Sequence, residues 1–238
     1  MRKALRGFAA VGMLLGGACA SLAVEAGLIK AYSVSVNALA APGSDSLRSY
    51  VLFSGHPEVD TASLAFAEVA RYVDHTLATR GLTRAKSPAE ASIALFVDYG
   101  VGAPQQVAYS YDVFGVTGGG ISTVTVQTPS GETSTGQVST PYQTGRVGTA
   151  VGTRTVYTRY LRMMALDVAQ FRTEAKPVEA WTMLIVSSGS SGDIRELLPA
   201  MFVAAQPYVG QQTSSAVHLS IPTIDKRIAE MRTAAARP

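Results

Sequence analysis

One strongly periodic segment constrains the fold of this chain more than any other part of the sequence. Its apolar residues recur at helical spacing and predict a helix over Thr61–Arg80, with Asp60 or Thr61 as N-terminal cap and Gly81 as left-handed end. Short apolar runs before and after it predict buried strands. A strand–helix–strand unit of this kind packs its helix against one face of a sheet. The periodic residues are Leu64, Phe66, Val69, Tyr72, Val73 and Leu77, and the strands are Ser49–Ser54 and Ala91–Tyr99.

The sequence after residue 154 predicts further strands and helices. Two neighbouring strands with a short polar connection favour an antiparallel hairpin, and a helix that is broken or kinked at Pro199 follows them. We therefore expect residues 47–238 to form a single α+β domain, with a mixed, mainly antiparallel sheet and helices packed largely on one face. The predicted strands are Tyr157–Ala169, Ala180–Ser187 and Ala216–Ser220, and the predicted helices are Ile194–Tyr208 and Thr223–Ala235.

A Gly/Ser/Thr-rich insertion interrupts this domain at about residues 107–152. The range Gly100–Gly152 holds half of the 22 glycines, and Glu132 is the only charged residue between Asp112 and Arg146. Turn signals and alternating β-branched residues predict a long, weakly packed hairpin or a partly disordered insertion. The alternative is a contact surface, since uncharged surfaces with aromatic residues are typical of interface cores. The candidate interface residues are Tyr109, Tyr111, Phe114 and Tyr142.

The N-terminus has the pattern of a secretory signal peptide over residues 1–19. Three basic residues precede an apolar stretch, Phe8–Ala18, which is too short to span a membrane, and small residues follow it. The alternative is a buried N-terminal helix, but the glycines at positions 7, 12, 16 and 17 would weaken such a helix. We therefore predict export to a bacterial-type cell envelope.

Two routes of processing remain open for this leader. Leu14–Cys19 resembles a bacterial lipobox, in which the cysteine is acylated and becomes the new N-terminus, although Gly16 stands where leucine is usual. Ala18–Ala20 instead fits ordinary cleavage, which would release a soluble periplasmic or secreted protein. Cys19 is the only cysteine and has no intramolecular disulfide partner, so a lipid attachment site explains it better. We expect a lipoprotein anchored through Cys19, with residues 20–46 as its tether.

The formal charge of +3 belongs to the leader. Arg2, Lys3 and Arg6 lie there, and the 17 remaining basic residues equal the 17 acidic ones. A neutral domain lacks the basic surface that gives nucleic-acid-binding proteins most of their affinity. Nucleic acid is therefore not an expected partner.

The histidines, the single cysteine and the carboxylates form no recognisable catalytic or metal-binding motif. His56, His75 and His218 do not have the spacing of metal ligands, and Cys19 lies in the leader, so we expect neither a metal nor a cofactor. Four carboxylates lie near predicted strand ends, but spacing alone does not bring any two to catalytic separation. They are Asp98, Asp112, Asp167 and Glu179.

The run Ser187–Asp193 links a predicted strand to a predicted helix and is the best candidate for a binding loop. Its glycine spacing fits neither a nucleophile elbow nor a phosphate-binding loop. Backbone N–H groups at a helix start can still bind an anion. Asp193 argues against this, because its carboxylate would satisfy those donors and repel a phosphate. We therefore expect a structural turn, with an anion or ligand loop as the alternative, formed by Ser188, Gly189, Ser190, Ser191 and Gly192.

The segment Ala70–Gly102 resembles the domain-of-unknown-function family 4136, whose members are mostly envelope lipoproteins. In that family a helix ends in a leucine–small–glycine turn and an Ala-Asp-Leu-like strand follows. The matching positions here are Leu77, Gly81 and Ala91–Ile93, with Ser92 in place of the acidic residue. Similar parts extend over roughly Tyr50–Leu219. The resemblance implies an α+β fold and an envelope location, and it implies no catalytic residues.

Together these patterns predict an envelope lipoprotein that acts as a non-enzymatic binding or accessory module. No aspartate follows Cys19, and by resemblance to lipoprotein sorting this favours the outer membrane, facing the periplasm. Its expected partners are the membrane, through the lipid anchor, and other envelope proteins or a second copy. One alternative is a hydrolase of envelope glycan or lipid that uses Asp98, Asp167 or Ser190. A second alternative is a structural subunit that self-associates through edge strands.

Overall fold

The computed structural model describes residues 30–236 of the chain. The predicted signal peptide, Cys19 and the first part of the predicted tether lie outside the described residues. The described chain divides into two compact units. We call Gln105–Thr155 the hairpin unit, and we call the remainder, residues 30–104 and 156–236, the core unit.

Four α-helices and eight strands make up the described chain. The strand β6 is long enough to contribute to both units, and the other elements each belong to one. The helices are α1 Leu64–Ala78, α2 Val168–Glu174, α3 Ile194–Ala205 and α4 Lys226–Ala236. The strands are β1 Ala31–Ala40, β2 Ser49–Ser54, β3 Thr83–Arg84, β4 Ile93–Val101, β5 Gln105–Gln127, β6 Thr133–Asp167, β7 Glu179–Gly189 and β8 Val217–Pro222.

The strands form one mixed sheet in the order β3-β2-β4-β6-β7-β1-β8, and β5 pairs with β6. Strand β2 runs parallel to β3 and β4, because α1 crosses over between them. The pairs β4–β6, β6–β7, β7–β1 and β1–β8 are antiparallel. The predicted α+β class, with its mixed and mainly antiparallel sheet, is confirmed.

Strand β1 corrects the prediction of a tether over residues 20–46. Residues 31–40 form a strand that pairs with β7 on one side and β8 on the other, and Val34, Val36 and Ala38 are buried. The tether is therefore wrong for this part, and the short strand considered at Tyr32–Val36 is present and longer. Pairing with distant strands satisfies its backbone groups, which no local pattern reveals.

The helix α1 begins two to three residues later than predicted. Ser63, rather than Asp60 or Thr61, is the N-terminal cap, and its hydroxyl accepts a hydrogen bond from the Phe66 amide at 3.2 Å. Gly81 has φ +77°, the left-handed conformation expected after the helix end. The ends of a helix are set by capping geometry, whereas the apolar stripe sets only its middle.

Period-2 alternation gives the sheet one fully buried face and one half-exposed face. The buried face carries Met163 and Ile185, and α1, α3 and α4 pack together over it. Helix α3 runs through Pro199 without a break, so of the predicted break or kink the break is wrong, and a 3-10 turn at Gln206–Tyr208 follows the helix. Helix α2, capped by Asp167, was not predicted.

No helix among residues 30–236 is long and apolar enough to span a membrane.

Candidate functional site

The loop Ser188–Gly192 lies in the core unit and consists of the last two residues of β7 and the turn that leads to α3. Asp193 caps α3, because its Oδ1 accepts a hydrogen bond from the Arg195 amide at 2.9 Å. The Ser191 hydroxyl in turn accepts a hydrogen bond from the Asp193 amide at 3.2 Å. The amides at the helix start are therefore capped by the Asp193 carboxylate, as expected for a structural turn. The loop before Asp193 has no carboxylate of its own.

The side chain of Arg159 lies directly against this loop. It projects from β6 and is only 2% exposed, which is exceptional for an arginine. Its Nη1 donates a hydrogen bond to the Ser191 carbonyl, and its Nη2 makes a long contact of 3.4 Å to the Ser187 hydroxyl. A Cβ atom on Gly189 would lie 2.9 Å from Nη2, so the absence of a side chain at Gly189 lets the guanidinium approach the loop backbone.

The positive charge of Arg159 is poorly compensated. None of the described carboxylates lies within salt-bridge distance of it, and its buried Nε–H has no acceptor among the described residues. Burial lowers the pKa of Arg159, and the more distant Glu196 carboxylate opposes that shift. The hydroxyl of Tyr32 donates a hydrogen bond of 3.4 Å to Glu196, and burial together with this carboxylate raises the pKa of Tyr32.

A cavity of about 440 Å³ opens beside the guanidinium. Its wall includes the start of β1, Arg159 on β6, the end of β7 with the turn after it, and the first turn of α3, all in the core unit. Lys30, Tyr32 and Glu196 line it together with Arg159 and the serines of the loop. The arrangement therefore offers a cation, several hydroxyl donors and a volume that matches small-molecule sites.

Arg159 was missed at the level of sequence, although a signal for it was present. Leu161, Met163 and Ala165 alternate along the predicted strand Tyr157–Ala169, and Arg159 occupies the preceding position of the same period-2 series. The structure buries all four on one face of β6. An arginine at an inward-pointing position of a strand indicates either that the strand ends there or that the charged group is buried in the protein.

The four candidate interface residues do not form one cluster in the hairpin unit. Tyr109 and Tyr111 lie two residues apart on the same side of β5, with ring centroids 5.8 Å apart, and the Arg154 guanidinium lies 5.9 Å from the Tyr109 ring. Phe114 is 67% exposed and stands at the alternate position, hence on the opposite side. Tyr142 lies on β6 and is 77% exposed.

Tyr142 packs over a run of three glycines in β5. Gly118, Gly119 and Gly120 all have positive φ values, between 80° and 125°. A Cβ atom on Gly119 would lie only 2.0 Å from the Tyr142 ring, so only glycine allows this contact. The glycines predicted as a turn signal thus lie inside β5, and the hairpin reverses further on, at Thr128–Glu132.

The other sequence candidates remain apart. Asp98 and Asp167 point to opposite faces of the sheet, and Asp167 is occupied as the cap of α2, where it accepts from the Gln170 amide at 3.0 Å. Ser190 lies in the loop after β7. Within residues 30–236 no three metal-ligating side chains from His, Cys, Asp and Glu form a group.

A second cavity, of about 650 Å³, lies between α1 and α4. Arg71, Asp74, His75 and Glu230 line it. Two of these side chains already have protein partners: Asp74 accepts hydrogen bonds from the Tyr50 hydroxyl at 2.6 Å and from Arg84 at 3.0 Å, and Arg71 donates to the Ala235 carbonyl at 2.7 Å. This groove is therefore a less suitable binding site than the cavity at Arg159.

Comparisons with known proteins do not show a family for this chain. No family model matches it, and no curated protein matches it. One solved structure is similar: a PDZ domain protein from Parabacteroides distasonis, 10% identical, with a TM-score of 0.37. The match covers 86% of this chain and 42% of that chain, so this chain spans less than half of the other protein.

Proposed function

We propose that this chain is a non-enzymatic binding or accessory module of the cell envelope, and that it acts by association through the hairpin unit. The envelope location is based on the signal-peptide pattern and on the resemblance of Leu14–Cys19 to a lipobox. The mode of action is supported by one structural observation. The hairpin unit exposes apolar and aromatic side chains along almost its whole length and has no buried core of its own.

A two-stranded ribbon of this length needs a partner for its stability. Strand β5 has 23 residues, and β6 is its one partner strand among the described residues. An isolated two-stranded hairpin is at best marginally stable in water, and a third strand or a packing partner is normally required. The exposed residues include Phe114, Ile121, Tyr142 and Val151. A surface that buries them would stabilise the hairpin and the complex together.

The β5 edge of the hairpin has few of the features that prevent strand addition, whereas β6 carries Pro141. Soluble proteins protect edge strands with lysines, prolines and inward-pointing charges. Between Asp112 and Arg146 only Glu132, at the hairpin tip, carries a charge. The unprotected backbone groups therefore favour a partner that adds a strand along β5.

The charge pattern favours a second copy of this chain as that partner. The hairpin unit contains two acidic and two basic residues, namely Asp112, Glu132, Arg146 and Arg154, so two copies do not repel each other. Asp112 and Arg146 already form an exposed ion pair of 2.8 Å. A self-associating subunit is therefore the second candidate function. The hydrolase alternative has less support, because Asp98, Asp167 and Ser190 do not converge.

Self-association can be tested with lysines placed on the hairpin. We expect the full chain to form dimers or larger assemblies in sedimentation experiments, and the double variant Val124→Lys/Val126→Lys to be monomeric, because two charges oppose strand addition. The matched control is Leu64→Lys/Ile224→Lys, which adds the same charge at exposed positions of the core unit and should still assemble. A chain that is monomeric and also fails to crosslink to any envelope protein through the hairpin would contradict the proposal.

The envelope location can be tested by mass spectrometry of the mature N-terminus. We expect an acylated Cys19, and we expect Cys19→Ser to move the protein from the membrane fraction to the soluble fraction, because several acyl chains anchor stably. A mature protein that begins at Ser21 and is soluble would support the alternative route of cleavage. Retention of the uncleaved leader inside the cell would contradict an envelope function.

A further inference from the structure

We propose that the cavity beside Ser188–Gly192 binds the carboxylate group of a small ligand, and that Arg159 is the residue that holds it. This site lies in the core unit, and the inference does not depend on the proposed function of the hairpin unit. It concerns the protein's own positive charge, which the described residues leave without a matching anion.

The state of Arg159 is the first reason. Buried charges in proteins are paired or fully hydrogen-bonded, because removal from water is costly. Arg159 is buried, yet one of its nitrogens has no acceptor and a second has only a long contact to Ser187. A guanidinium engaged mainly through Nη1 retains the donors with which arginine recognises a planar anion. The guanidinium of Arg159 therefore has free hydrogen-bond donors for an anion that the described residues do not supply.

The loop supplies additional donors at the same place. The backbone N–H groups of Ser190, Ser191 and Gly192 donate to no protein acceptor among the described residues. Ser191 uses its hydroxyl oxygen to accept from Asp193, which leaves its O–H free to donate. Ser190 follows the end of β7, is exposed and lines the cavity. Several donors beside a buried cation form an anion-binding arrangement.

The local charge selects a monoanion. Arg159 and Lys30 contribute positive charges to the cavity wall, and Glu196 contributes one negative charge, so one positive charge remains. Asp193 is used in capping α3 and is not among the residues that line the cavity. One carboxylate balances this charge, whereas a phosphate monoester carries about −1.5 to −2 at neutral pH and would overcompensate it. The volume leaves room for a ligand larger than acetate.

The site can be tested by NMR titration of the full chain with sodium acetate, against sodium chloride at equal ionic strength. We expect saturable shifts of the amides in residues 188–193 and of the Arg159 Nε–H. In Arg159→Met the apparent affinity should fall at least about tenfold, a difference of about 1.4 kcal/mol. Arg162→Met, on the exposed face of the same strand, should bind acetate like the native chain.

Two further arms make the result decisive. Gly189→Ala keeps Arg159 but pushes its guanidinium away from the loop, so it should weaken binding while the rest of the spectrum stays unchanged. Sodium phosphate should bind more weakly than acetate. No saturable shift in the folded native chain, equal binding by Arg159→Met, or tighter binding of phosphate than of acetate would each overturn the proposal.

Discussion

Replacing Phe202 by alanine is expected to lower the free energy of unfolding by about 3–5 kcal/mol, since the change removes a large buried ring and leaves a cavity. Phe202 lies on α3, is 0% exposed and stacks against Tyr72 of α1 with ring centroids 5.6 Å apart. It therefore joins the two helices that cover the buried face of the sheet. Neighbouring side chains from both helices and from the sheet are close-packed, so they cannot collapse into the space left by the ring.

Urea unfolding followed by circular dichroism measures this loss. The matched control is Phe171→Ala, because Phe171 is half exposed on α2 and its removal leaves no enclosed cavity. We expect that control to change the free energy of unfolding by less than about 1 kcal/mol. Equal losses for the two variants would mean that the ring of Phe202 does not organise the packing of α1 and α3.

Replacing Arg159 by methionine is expected to raise the free energy of unfolding by about 1–3 kcal/mol, although it removes a hydrogen bond. The methionine side chain fills the same channel beside the loop without the penalty for burying a charge. The Ser191 carbonyl, which loses its donor, lies at an open cavity and can bond to water instead. A buried residue whose removal stabilises the fold is typical of a group retained for binding rather than for stability.

This increase is measured by the same urea unfolding in the absence of carboxylate buffers. Arg162→Met is the control, because Arg162 is exposed three residues further along β6, and we expect it to change stability by less than about 0.5 kcal/mol. A large loss of stability in Arg159→Met would contradict the expectation. It would make the Arg159–Ser191 hydrogen bond a structural support of the loop.

Local patterns were sufficient for most of the core unit. The apolar stripe of α1 and the runs that became β2 and β4 predicted the strand–helix–strand unit, because alternation and helical periodicity report which side of an element is buried. Strand β2 was predicted with the bounds that the structure has, Ser49–Ser54. The crossover of α1 then makes β2 and β4 parallel, while the short connection from β6 through α2 makes β7 antiparallel to β6.

Element ends and the place of β1 were harder to predict. The segment Tyr32–Val36 alternates like a strand, but the surrounding range Leu22–Ser46 is rich in alanine, serine and valine and has few charges, which is equally typical of a linker. Its neighbours in the sheet are β7 and β8, which lie more than a hundred residues away along the chain. Similarly, Leu64 begins α1 although it is 88% exposed, so the cap at Ser63 and not the apolar stripe sets the start of the helix.

The sequence by itself determined the α+β class and the positions of each core strand that point inward, since these follow from local periodicity. It also marked residues 107–152 as a separate segment by their composition. Only the tertiary structure decided which distant residues meet. The antiparallel register of β6 and β7 sets Arg159 opposite Ser187, and the turn into α3 then brings Ser191 onto the guanidinium. The loop Ser188–Gly192, for which the sequence left a simple turn and a binding loop as alternatives, thus lies against a buried guanidinium. That cation comes from a strand about 30 residues earlier, and burial in the folded sheet deprives it of the water that would otherwise solvate it.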